Sequence, residues 1–287
     1  MEYLKRSLGN SLVRFVPNFF LSTHVHPFIT SQYNVPRENV VIITKVGFLV
    51  DHEQMHNITS IPSIRPGMAD TRDYVNQGGL SRAAIFNQTE ECLSRLGTDY
   101  VDVLMIHIVD LQTPFTETMR ALHDIVLSGK ARYLGASNVR AWQFIEMNNI
   151  AERKGWTTFS CVQMEHSLLY RAEVRIASFT THTPPPSYAK STWKERELFA
   201  YCHYKGVGIL AYAPLMDGHL ARPIGTQTIR TKRYASVGAE KPRRATDITI
   251  IKRVQELAEK KSWKMSQVAL AWLTNQHSIP IVGISTV

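Results

Sequence analysis

The chain has 287 residues, 44% of them hydrophobic and 20% charged. That is ordinary globular composition, long enough for one large domain or two small ones, and it excludes wholesale disorder. The formal net charge is +9, but the basic residues are spread along the chain, and the nearest cluster, Arg230 to Ala245, has no finger spacing, aromatic RNP pattern or basic helix. That stretch reads first as a solvated loop and second as a phosphate-binding region, and no nucleic-acid partner is expected.

From residue 38 onward the pattern is regular. "VVIIT" (Val40 to Thr44) is a short β-branched run that delivers Lys45. A helix follows over "SRAAIFNQTEECLSRLG", with Ser81 as its cap and Gly97 as its stop. "YVDVLMIH" is a strand and "PFTETMRALHDIVLSG" a helix ending at Gly129. "ARYLGAS" is a strand, "VRAWQFIEMNNIAERKG" a helix and "FSCVQM" a strand. "KERELFAYCHYKG" is a helix and "VGILAYAPL" a strand. Two helices, "TDITIIKRVQELAEKK" and "KMSQVALAWLTNQ", precede a last strand, "IPIVGIS".

Short strands apolar on both faces that alternate with amphipathic helices mean parallel βαβ units. The crossover rule then leaves a doubly wound sheet or a (β/α) barrel. No strand runs into a GxGxxG turn, which weighs against a dinucleotide-binding sheet. Six strands are expected, and two segments stand outside the pattern. Residues 1–30 carry no clear βα signal. Residues 172–193 hold three consecutive prolines and many hydroxyl residues, so they read as an exposed loop. The expected organisation is therefore an atypical segment at 1–30 and a barrel-like region at 31–287, interrupted at 172–193.

Cys92, Cys161 and Cys202 have no CxxC spacing, and the eleven histidines form no HExxH pair. No metal or disulfide framework is implied, and a reducing, cytoplasmic setting is expected. No uncharged apolar run reaches 18 residues, so no membrane association is expected. In a (β/α) barrel the chemistry sits at the C-terminal ends of strands. The polar residues there are Lys45, His107, Ser137, Asn138, Gln163, Glu165, Tyr212 and Ser285. Taken singly, each has a blander reading: a solvated lysine, a core histidine, a helix cap at Ser137–Asn138, a packing tyrosine. Their shared placement is what marks them as candidates.

At these positions the sequence resembles the aldo-keto reductases, and among them the fungal aryl-alcohol-dehydrogenase-like branch. The motifs that carry the resemblance are "LSRLGTDYVDVLMIH", "GKARYLGASN", "VQMEHSLLYR", "GVGILAYAPLMDG" and "SQVALAWL…IPIVGIS". The resemblance runs from about Tyr33 to Val287. It implies an α/β fold, an NADPH-dependent reduction of a small-molecule aldehyde or ketone, or the reverse oxidation of an alcohol. Lys45 and His107 match two members of the family's Asp, Tyr, Lys and His tetrad. By resemblance, Ser137, Asn138 and Gln163 bind the nicotinamide carboxamide and Tyr212 stacks on the ring. Pro214, Leu215 and Gly218 border the pyrophosphate, and Gly283, Ser285 and Thr286 open the segment that holds the adenosine-side phosphate. In such a site the lysine ammonium tunes a tyrosine hydroxyl that is otherwise a poor acid near pH 7, and the histidine polarises the carbonyl.

The chain also departs from the family pattern. Only 44 residues precede Lys45, too few for two βα units at roughly 30 residues or more each. "SLGNS" (Ser7 to Ser11) resembles the tail of the family's Asp and Tyr motif, but Arg6 stands where the tyrosine would be, and neither Tyr3 nor Tyr33 is in register. The expectation is an incomplete (β/α)8 barrel with about six of eight strands, short at both ends, and without an identified proton donor. A catalytically inactive NADPH-binding or partner-binding homologue is the alternative.

Overall fold

The computed structural model describes residues 36–48, 71–72, 75–170, 197–226 and 245–283, and the backbone of 12–15. The expected loop at 172–193, Tyr3, Arg6, Tyr33, Ser285 and Thr286 lie outside the described residues. The chain divides into two compact units, 1–162 and 163–287.

In the first unit, strand β1 (Leu12–Phe15) pairs parallel with β2 (Val40–Val46). Strand β2 pairs parallel with β3 (Val101–Ile106), and β3 with β4 (Ala131–Ser137). Helices α1 (Arg82–Leu96) and α2 (Phe115–Leu127) precede β3 and β4, and α3 (Ala141–Lys154) follows β4. Strand β1 is an addition to the six expected strands. Its four residues are too few to display a period.

All seven residues of β2 are buried, the mark of a strand covered on both faces. Side chains alternate between the faces. Thr44 Oγ1 donates to Cys92 Sγ on α1 at 3.6 Å, so Thr44 faces the helix layer and Lys45 faces away from it. Helix α1 starts and stops as its sequence predicts. Ser81 Oγ accepts from Ala84 N at 3.3 Å, and Gly97 takes the left-handed conformation that an ending helix needs, φ 63°. Asn148 on α3 accepts from Phe159 N at 2.9 Å, which fixes the start of the fifth strand, β5 (Phe159–Glu165).

The N-terminal ends of β2 and β3 are tied by one arginine. Arg37 donates to Val40 O at 2.7 Å and to Asp102 Oδ2 at 2.8 Å, and the same carboxylate oxygen accepts from Ile42 N at 2.7 Å. Two guanidiniums, those of Arg37 and Arg132, lie over the Tyr100 ring at 4.1 and 4.3 Å.

The second unit holds α4 (Phe199–Lys205), β6 (Gly208–Tyr212), α5 (Ala245–Lys261), α6 (Met265–Asn275) and β7 (Ser278–Pro280), with β6 and β7 parallel. Its core joins Leu169, Leu220, Ile251, Val254, Met265 and Val268. His166 is buried, with Nδ1 3.1 Å from Ser278 Oγ and its ring edge-on to Phe199 and Trp272. Strand β7 is shorter than the expected "IPIVGIS". Pro280 has no N–H for the ladder, and only Ile281 N still reaches back, to Ala211 O at 2.8 Å. Among the described residues no helix is long and apolar enough to cross a membrane, and no group of three His, Cys, Asp or Glu side chains could hold a metal.

Asp102 carries two bonds across the strand ends. Replacing it by alanine strands Ile42 N and the Arg37 guanidinium. Asp102→Ala should lower the unfolding free energy by about 2 kcal/mol, read as a shift of the urea midpoint at constant slope.

Candidate functional site

The strand register places the first unit's candidate residues. Lys45 pairs with Met105, and Met105 with Gly135, so the three form one row across adjacent strands. Since side chains repeat every two residues, the next row toward the C-terminal ends contains Gly47, His107 and Ser137.

Gly135 explains how Lys45 fits. A Cβ there would lie 2.7 Å from Met105 Cε and 2.8 Å from Cys161 Sγ. The absent side chain is the space into which the methionine and the thiol fold beside the lysine. Lys45 is only 2% exposed. Burial depresses its pKa well below the ordinary lysine value, and Cys161 acts weakly in the other direction. Cys161 is pushed up to about 12 by burial, against the opposing pull of Ser160 and Lys45. It remains a thiol, a packing group and not a nucleophile.

His107 begins the loop after β3. Its N–H donates to Val46 O at 2.8 Å, and its ring lies 4.3 Å from that of Phe48. Burial first, and the charge of Lys45 second, depress its pKa to about 3. The imidazole is therefore neutral at physiological pH, able to donate one hydrogen bond without carrying charge. Asn138 does not cap a helix. Helix α3 starts at Ala141, and Asn138, at φ 50°, donates from Nδ2 to His107 O at 3.3 Å and to Ser137 Oγ at 3.2 Å. Lys45, His107 and Ser137 thus share one face near the C-terminal ends of the same parallel ladder, and Asn138 follows directly after Ser137.

The remaining candidates lie in the second unit. Gln163 on β5 is 2% exposed, and its Nε2 has no hydrogen-bond partner among the described residues. A buried amide donor left in this state costs roughly 1–3 kcal/mol, so it fits a polar ligand atom. Tyr212 ends β6, and its carbonyl accepts from His166 N at 3.3 Å. Burial, then Glu165, then Tyr170 raise the phenol pKa above the ordinary range. That holds the hydroxyl protonated at physiological pH.

Pro214, Leu215 and Gly218 lie in a tight turn after β6. Ala213, Met216 and Asp217 all have positive φ, 52°, 44° and 55°. The turn is closed by bonds from Met216 N to Ala213 O and from Gly218 N to Leu215 O, both 3.0 Å. L-residues in that region are strained, and such strain gathers at ligand clamps. Gly283 follows β7 and is exposed.

Sequence reading passed over Gln88, Asp110 and Phe48. The glycines at 47, 78 and 79 were the only local signal that the backbone does something unusual near them.

Comparison with known proteins identifies the chain's family. Residues 23–287 match the model of the Aldo/keto reductase family. An aldo-keto reductase of Fusarium vanettenii is 41% identical over 260 residues, covering 89% of this chain and 64% of that protein. The versiconal hemiacetal acetate reductase of Aspergillus parasiticus is also 41% identical over 260 residues, covering 89% of this chain and 68% of the relative. A putative aryl-alcohol dehydrogenase of Schizosaccharomyces pombe is 39% identical over 263 residues, with 89% and 67% covered. The chain thus spans about two thirds of the length of the relatives it matches, 64% in the first case.

Two measurements check the electrostatics and the packing. Between pH 6.5 and about 3, an unfolded imidazole takes up a proton that folded His107 refuses. Unfolding therefore gains protons, and stability should fall as pH drops through that window. Urea midpoints at pH 7 and 4.5 test this, and the drop should be smaller in His107→Gln. Separately, Gly135→Ala should cost about 1–3 kcal/mol by overpacking, and the Gly135→Ala/Met105→Ala pair should recover part of it. The strand order, the parallel ladder within the first unit and the family-model match lead to one identification: the chain belongs to the aldo/keto reductase family, with the α/β strand-and-helix order of its (β/α)8 barrel.

Proposed function

We propose that this chain is an NADPH-dependent carbonyl reductase or alcohol dehydrogenase acting on a small-molecule aldehyde, ketone or alcohol. The observation that carries the reading is Lys45, an amine buried at a strand end beside a neutral histidine. A buried, depressed lysine regains its proton when an anion or developing anion arrives, so its charge is greatest where the reaction needs it. His107, kept neutral, donates a hydrogen bond to the substrate oxygen and helps polarise the carbonyl.

The cofactor fit rests on Gln163. Its unsatisfied buried Nε2 is the donor that a carboxamide oxygen would use, and Ser137 and Asn138 add polar groups in the first unit. Tyr212 presents a protonated aromatic face for a planar ring. By the resemblance, the strained turn at Pro214 to Gly218 would border the phosphates, and Gly283, Ser285 and Thr286 would belong to the segment that holds the adenosine-side phosphate. When bound, NADPH supplies the hydride. Lys45 stabilises negative charge on the oxygen, and the apolar rows below it exclude water. Three buried free cysteines suit a reducing, cytoplasmic setting.

A second reading, a catalytically inactive NADPH-binding or partner-binding homologue, is favoured by Arg6 at the position where the resemblance places the proton-donating tyrosine. One set of measurements separates the two. NADPH titration, followed by cofactor fluorescence, should saturate in the micromolar range, and Gln163→Leu should weaken binding about tenfold. Oxidation of NADPH with an aromatic aldehyde that disappears in Lys45→Met supports the reductase. Binding without turnover supports the second reading, and no binding up to millimolar cofactor defeats the reductase and the cofactor-binding form of the second reading.

A further inference from the structure

The segment after Lys45 is held by a closed set of hydrogen bonds that adds side-chain links to the end of the β2–β3 ladder. Gly47 N donates to Gln88 Oε1 on α1 at 2.6 Å. Gln88 Nε2 donates in turn to Gln77 O at 2.9 Å and to Gly79 O at 3.3 Å. Gly79 N returns to Gly47 O at 3.1 Å. The next residue continues the circuit: Leu80 N donates to Asp110 Oδ2 at 3.0 Å. Asp110 lies three residues beyond His107, and it also accepts from Thr113 Oγ1 at 2.7 Å and from Gln112 N at 2.8 Å. His107 N closes the ring on Val46 O at 2.8 Å.

Two features show that the circuit is built and not incidental. Gln88 is buried at 4% exposure, and all the polar atoms of its amide group are used in these bonds. Gly79, at φ +79°, has no room for a side chain, because a Cβ would lie 2.9 Å from Asp110 Oδ2. The glycine permits the carboxylate to approach the backbone that leads into α1. A side-chain amide and a carboxylate thereby join the loop after Lys45 to the loop after His107.

We propose that Gln88 and Asp110 are positioning residues that hold Lys45 and His107 in mutual register through this circuit. This inference rests on the reading of Lys45 and His107 as the reacting pair, and its main test is independent of cofactor. Gln88→Met keeps the volume and removes three bonds. Asp110→Ala removes the carboxylate, while Asp110→Asn retains an oxygen for Leu80 N. The readout is hydrogen–deuterium exchange at the His107 amide, which neither residue touches. It should speed up about tenfold in Gln88→Met and Asp110→Ala, with Asp110→Asn in between. The Phe159 amide, bonded to Asn148 away from the circuit, should change less than about twofold. In a chain that turns over NADPH, kcat should fall in the same order with KM for the carbonyl little changed.

Unchanged exchange at His107 in either variant overturns the proposal. Equal acceleration at His107 and Phe159 overturns it too, since that marks general destabilisation. If Gln88→Met does not fold, Thr113→Val, which removes one donor to Asp110, gives the same comparison on a smaller scale. A protein that passes the exchange test but never binds NADPH defeats the reductase reading and leaves the circuit standing.

Discussion

An ammonium group cannot be taken out of water cheaply, and Lys45 is almost entirely out of water. Its surroundings follow from that constraint. The strand that carries it is apolar and covered on both faces, so the backbone cannot drift. The neighbouring strand offers Met105, a soft, adaptable side chain, and the next offers no side chain at all. His107 is denied a proton partly by the lysine's own charge, so the lysine is spared a second cation nearby. Burial lowers the lysine's pKa, so the proton on Lys45 is held less tightly than in water.

Much of this was legible in the sequence because it depends on periods. Strand runs have period two, helices 3.6, and a polar residue that ends an apolar run sits at the strand mouth. Lys45, His107, Ser137, Gln163 and Tyr212 were found this way, and caps such as Ser81 and Gly97 behave as their chemistry requires. The failures share a cause as well. Gln88 and Gly47 are 41 residues apart, and Asp110 and Leu80 are 30 apart. Their bonds obey no local period, so no window of sequence displays them. Asn138 was readable as a cap because Ser-Asn favours caps, yet tertiary contact with the His107 carbonyl took the side chain instead. Strand β1 was too short to announce itself, and β7 stopped early because Pro280 interrupts the ladder.

The two units differ in what they hold. The first carries Lys45 and His107 on or beside parallel strands. The second carries the Gln163 amide, Tyr212 and a strained turn. A turn with three L-residues at positive φ is tolerated only where the surrounding structure pins it, and here the pinning bonds run within the turn itself.

Gly135 carries a consequence for the history of the chain. The row of Lys45, Met105, Gly135 and Cys161 has a fixed total volume, and its smallest member is already at zero. Enlargement at Gly135 is tolerable only if Met105 or Cys161 shrinks in the same lineage. Substitutions at these three positions should therefore appear as compensated sets, with drift at one site gated by prior change at another. Lys45 is the beneficiary: the packing around a charged group evolves as a unit, while the charge itself stays in place.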